Sequence, residues 1–150
     1  MKFQVALFLL RGQVYALAVE EILIILQEPR IFSLPLLPPV VIGMLIHDGE
    51  AVPVVKPARL PRASEDGQYP CSYVVVCGTE FGVAGLPADK ILHIVERRKG
   101  RLEVAQDPAG VDGSGRTFVY DQVRYPLLDI GHIVAELSLW DFRHPPPQGN

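Results

Sequence analysis

Gly43-Met44-Leu45-Ile46-His47-Asp48-Gly49-Glu50-Ala51-Val52-Pro53-Val54-Val55 reads as strand, two-residue turn, strand. Asp48-Gly49 is a strong hairpin signal, because a type I′ turn needs positive φ at both central residues. A second stretch repeats the pattern. Phe81-Gly82-Val83-Ala84-Gly85-Leu86 is followed by Asp89-Lys90-Ile91-Leu92-His93-Ile94-Val95. Apolar residues are dense enough in both stretches to close small barrels. Neither stretch carries a nucleophile, a metal cluster or a phosphate loop.

Working outward, residues 3–10 and 13–19 form two apolar runs joined at Arg11-Gly12, which predicts another hairpin. Residues 20–27 fit helix or strand by period alone, and the run of Ile with Pro29 behind it favours strand. Residues 33–39 hold three prolines and read as a loop, since proline has no N–H for a ladder. Pro57–Pro70 is a polar connector that divides the chain near its middle. Beyond it, Cys71–Cys77 is apolar on both faces, as a buried strand is. Thr79–Leu86 pairs with it across Gly78, and Lys90–Glu96 is a third strand. Asp107–Gly115 reads as a surface loop. Arg116–Tyr120 and Val123–Leu128 close the β part as a hairpin around Asp121-Gln122. The helix comes last: Asp129 is a good N-cap, and Ile130, Ile133, Val134, Leu137 and Trp140 recur as one stripe.

A chain of 150 residues suits one compact domain, and 49% hydrophobic residues supply a sizeable core. A net charge of −3 and a pI near 5.8 argue against a nucleic-acid partner, which calls for a basic footprint. Arg97, Arg98, Lys99 and Arg101 surround Gly100 and alternate with Glu96 and Glu103, which predicts a solvated hairpin tip. Cys71 and Cys77 share a face of one strand but are far apart along it, so they read as buried, reduced thiols. The apolar run Met1–Leu10 is short and is followed by Arg11-Gly12-Gln13 instead of a cleavage site. No run approaches the ~18 apolar residues of a membrane span. The expectation is a soluble, cytoplasmic protein with no direct membrane insertion.

A search for chemistry finds no active site. His47, His93, His132 and His144 show no metal-ligand spacing. Ser33, Ser64, Ser72, Ser114 and Ser138 lie outside any nucleophile elbow. Asp112-Gly113-Ser114-Gly115 has no lysine behind it and no helix to follow. On a strand, Glu20 and Glu21 point to opposite faces and would not form a dyad. The reading is a non-enzymatic protein with no catalytic, metal or cofactor site.

In order and spacing, these segments resemble the CheW-type adaptor domain of bacterial chemotaxis. That family carries a pattern near Gly-Val-x-Asn-Leu-Arg-Gly-x-Ile-x-Pro-Val-x-Asp-Leu, and Gly43, Gly49, Pro53 and the apolar alternation between them agree with it. The run Gly82–Ile94 is similar to a second family pattern. Leu128-Asp129-Ile130 resembles the Leu-Asp-Ile where the last helix begins, and Val19-Glu20-Glu21-Ile22 resembles Val-x-Glu-Ile. The family's Asn-Leu-Arg is Ile46-His47-Asp48 here, and its Asp after the proline strand is Lys56. The family arginine is thought to pair with the glutamate matching Glu21, so Asp48 would turn that pair into like charges.

The resemblance implies a mostly β fold of two small, five-stranded SH3-like β-barrel lobes with a C-terminal helix. The domain would span 1–142, with lobe 1 about 13–60, lobe 2 about 1–10 plus 71–142, and a Pro-rich tail over 143–150. It implies an adaptor between a chemoreceptor cytoplasmic tip and the regulatory domain of a CheA-type histidine kinase. The expected kinase-facing residues are Gly43, Asp48, Gly49 and Pro53. The expected receptor groove lies between the lobes, lined by Val19, Glu21, Ile46, Val76 and Ile94. The alternative is a small-ligand-binding β-barrel sensor.

Overall fold

The computed structural model describes residues 3–33, 35, 40–57, 71–104 and 116–138. Eleven strands and one helix are present among them. The strands are β1 (Gln4–Leu10), β2 (Gln13–Ala18), β3 (Ile22–Gln27), β4 (Val41–His47), β5 (Glu50–Val55) and β6 (Tyr73–Thr79). They continue with β7 (Gly82–Ala88), β8 (Lys90–Glu96), β9 (Arg101–Val104), β10 (Arg116–Tyr120) and β11 (Val123–Pro126), and α1 covers Ile130–Ser138. The predicted connector over 58–70, the loop over 107–115, Trp140 and the 143–150 tail lie outside the described residues.

Three hairpins turn where the sequence places them. Both central residues have positive φ at Arg11-Gly12, Asp48-Gly49 and Asp121-Gln122, the signature of turns that match the strand twist. The fourth turn is displaced. Gly78 lies inside β6, and the chain reverses at Glu80-Phe81, where the Thr79 hydroxyl donates to the Gly82 carbonyl at 2.8 Å. Gly78 serves packing instead: a Cβ there would stand 3.0 Å from Leu23 Cδ1.

One five-stranded sheet runs β3-β6-β7-β5-β4, and two three-stranded sheets run β2-β1-β8 and β11-β10-β9. A parallel bridge between Ala16 and Leu127 ties the two smaller sheets together. The first lobe is therefore β3–β7, and the second is β1, β2 and β8–β11. This corrects the lobe boundaries expected from the Pro57–Pro70 connector. β5 and β7 are parallel, meeting at Val54 and Gly85, and a parallel neighbour cannot follow through a tight turn. The proline-rich connector thus joins two strands of one lobe and is not a boundary between lobes. The second lobe has six strands, one more than expected, because Arg101–Val104 pairs with β10.

β1 explains why the lobes stay together. Val5 and Leu7 enter one core with Ala16, Val95 and Phe118. Phe8 and Leu10 point the other way and join the larger core of the first lobe with Tyr15 and Leu17. A strand alternates its side chains between faces, so β1 and β2 form a wall shared by two interiors. Phe8 and Tyr15 stack at 5.9 Å within it. Burying a side chain of this size contributes roughly 1.5–3 kcal/mol, so separating the lobes is costly. Leu128, just before the helix, and Ile130, Ile133, Val134 and Leu137 of the helix close the same core. Asp129 caps it as expected, its Oδ1 accepting from the His132 N–H at 3.0 Å.

Candidate partner-binding surfaces

The β4–β5 hairpin presents the kinase-facing candidates at one end of the first lobe. Asp48 is exposed, and its Oδ2 is 3.5 Å from Nε2 of its neighbour His47. Gly49 is exposed with φ +78, and Pro53 is half-buried on β5. Gly43 is buried. A Cβ on it would meet Ile31 Cγ2 at 2.6 Å and the Phe32 carbonyl at 2.7 Å. Its small size lets the backbone pair Phe32↔Met44 close, through reciprocal hydrogen bonds of 2.7 and 2.8 Å. Gly43 therefore shapes the hairpin from inside and offers a partner no surface.

The groove candidates divide. Ile46 at 59% and Ile94 at 57% are exposed apolar side chains, on β4 and β8 respectively. Val19 is half-buried in a 3-10 turn, Val19–Glu21, that separates β2 from β3. Val76 is a correction: it is 2% exposed and belongs to the first-lobe core. β6 runs through the middle of that lobe between β3 and β7, so every position from Val74 to Cys77 is covered.

Glu21 is set in a more demanding place. It lines a cavity of about 310 Å³ together with Glu20, Ala18, Arg97, Arg116 and Asp129. Its carboxyl is held above the usual carboxylate range, first by burial, then by the charges of Asp129 and Glu20. Its Oε2 is shielded from solvent with no hydrogen-bond partner among the described residues. The like charges acting on Glu21 are thus those of Asp129 and Glu20, while Asp48 faces His47. The 3-10 turn also revises the strand reading of Glu20 and Glu21, since it brings both carboxylates to the same cavity.

Both thiols are suppressed. Cys77 is wholly buried and its thiol is pushed up to about 12, mainly by desolvation, with the Glu21 charge adding to it. Cys71 is half-buried and raised to about 11 for the same first reason. No helix among the described residues is long and apolar enough to cross a membrane.

Sequence reasoning missed two exposed apolar groups. Leu23 is 63% exposed and Phe81 53% exposed. Leu23 is the extra residue of a bulge, since Ile22 pairs with Cys77 and Ile24 with Val76. An unbroken Ile/Leu run carries no sign of where its register slips.

Two packed β lobes sharing a wall, closed by a terminal helix, place the chain among two-lobed β-barrel proteins. The family model for the CheW-like domain matches residues 4–138, and the chain belongs to that family. Among solved structures it is similar to the scaffolding protein TtCheW from Thermoanaerobacter tengcongensis. The two share 18% identity at a TM-score of 0.68, over 89% of this chain and 92% of the other. No curated protein matches.

Proposed function

We propose that this chain is a non-enzymatic signalling adaptor that couples a chemoreceptor-type protein to a histidine kinase of a two-component pathway. It works in the cytoplasm, held between the two partners. Ile46 carries the reading. It is a large apolar side chain, 59% exposed, at the tip of the hairpin that bears the family motif. An apolar group kept in water at the end of a rigid hairpin stands ready for burial against a partner. The CheW-like match over 4–138 supports the reading, and so does the similar solved chain, itself described as a scaffolding protein.

Asp48, Gly49 and Pro53 are assigned to the kinase side, and Val19, Glu21, Ile46 and Ile94 to the receptor side. Gly43 and Val76 support these surfaces from within. Pull-down and calorimetry with a kinase regulatory domain and a receptor-tip fragment test the proposal. Ile46→Glu should abolish measurable binding of at least one of them while leaving the thermal melt unchanged. Binding of neither fragment to the wild-type chain refutes the adaptor role.

A further inference from the structure

The basic run at residues 97–101 is not a free tip. Arg97–Lys99 forms a 3-10 turn whose position is fixed from two sides. The Arg97 N–H donates to the Phe3 carbonyl at 2.9 Å. Gly100 is pressed so closely on Phe118 that a Cβ would lie 2.5 Å from its Cζ. Beside this turn opens a cavity of about 550 Å³. Phe3, Gly100 and Leu102 supply its apolar lining, with Phe3 left 48% exposed. Arg97, Arg98 and Arg101 line it as well, with Glu96 as the one carboxylate among the lining residues.

The charge on this lining is unbalanced. Glu96 holds Arg98 at 2.7 Å, and Glu103 holds Arg101 at 2.8 Å and Arg124 at 2.9 Å. Arg97, which also lines the neighbouring cavity of Glu20, Glu21 and Asp129, has no ion-pair partner among the described residues. Over 96–103 the four cations outnumber the two carboxylates two to one, in a chain whose net charge is −3. Local positive charge on an acidic protein is a directed feature of its surface field.

We propose that this groove docks an acidic peptide segment of a protein partner, with one apolar residue of that segment seated on Phe3 and Leu102. Concavity favours a peptide over a bilayer, because an extended chain can enter a cavity that a flat lipid surface only covers. The fixed turn presents its cations from an ordered backbone, so only their side chains pay an ordering cost on binding. Arginine also suits carboxylate recognition, because its planar fork donates to both oxygens at once.

The test is fluorescence anisotropy with the full chain and a short fluorescein-labelled peptide of glutamates and aspartates around one leucine. A lysine version of the peptide is the control. Binding should weaken with added salt. It should fall about tenfold in Arg97→Gln/Arg101→Gln, since each exposed charge contributes up to ~1 kcal/mol. Phe3→Ser should also weaken it. Arg97→Gln alone is the second variant should the double variant not fold, with a loss of about threefold. The proposal is overturned if the acidic peptide does not bind, if the folded variants bind it as tightly, or if the lysine peptide binds equally. Tighter binding to phosphatidylserine vesicles or to duplex DNA overturns it in favour of those ligands. None of these outcomes depends on the kinase or receptor fragments.

Discussion

Replacing Glu21 with glutamine should stabilise the protein at neutral pH. Glu21 is half-buried, its Oε2 has no partner among the described residues, and Asp129 and Glu20 repel its charge. A buried, unsatisfied polar atom costs ~1–3 kcal/mol, and partial exposure lets water screen the repulsion, so the lower end applies here. Glutamine keeps the shape, removes the charge and supplies an N–H that a carboxylate can accept. The gain should be about 1 kcal/mol at neutral pH, or roughly 2–4 °C in Tm for a chain of this size. The pH dependence follows from linkage. The folded-state pKa of Glu21 lies above its ordinary value of 4.5, so the stability contributed by its protonation is fully present below 4.5. That contribution is lost as pH rises through the folded value. The difference between wild type and Glu21→Gln should therefore be largest at neutral pH and shrink toward zero near and below pH 4.5. Urea unfolding of both proteins across this range measures it. A variant that is less stable at neutral pH, or a difference that does not change with pH, refutes the assignment of Glu21 as a charge held at a cost.

Gln122→Gly should raise stability by about 1 kcal/mol in thermal unfolding, because Gln122 occupies φ +64 where a side chain is disfavoured by roughly that much. Gly85→Ala should cost about 1–3 kcal/mol by the same assay, since its Cβ would lie 2.6 Å from Val74 Cγ1 in a filled interior. Both cysteines should resist a thiol reagent at mildly alkaline pH in the folded protein and react at once in denaturant. Cys71, raised to about 11 and half-buried, should react before Cys77, raised to about 12 and wholly buried.

Strand positions were legible because this chain writes its turns in residues that tolerate positive φ: Arg11-Gly12, Asp48-Gly49 and Asp121 all do so in the structure. The helix cap was legible because a short side-chain oxygen just before an apolar helical stripe can accept from the first turn's N–H groups, as Asp129 does from His132. Strand partnership was not. Pro57–Pro70 separates β5 from β6 in sequence, yet pairing depends on which edges meet in space, and no local pattern records the Val54↔Gly85 contact. For the site, Ile46 and Ile94 were readable as apolar positions and proved exposed, while Val76 looked the same in sequence and is core. A strand covered on both faces and a strand open on one differ only in what lies across from them. The Glu20–Glu21 pair was misjudged for a related reason: a 3-10 turn interrupts the alternation that strand geometry would impose.

The shared wall has a consequence for how the chain is made. β1 pairs with β8 across a long span of sequence, with Leu7 opposite His93. During synthesis the hairpin of β1 and β2 emerges before β8, which leaves the β8-facing edge of β1 bare. At about 5–20 residues per second, roughly 4–16 s pass between the appearance of Leu10 and that of Lys90. Through that interval Phe8, Leu10, Tyr15 and Leu17 depend on the strands of the first lobe for cover as these arrive, and the free edge of β1 depends on nothing. An open strand edge is where nascent chains find one another, so crowded translation of this protein is the moment of greatest risk of aggregation. Slowing elongation after β2 would lengthen that exposure, whereas slowing it after β8 would not.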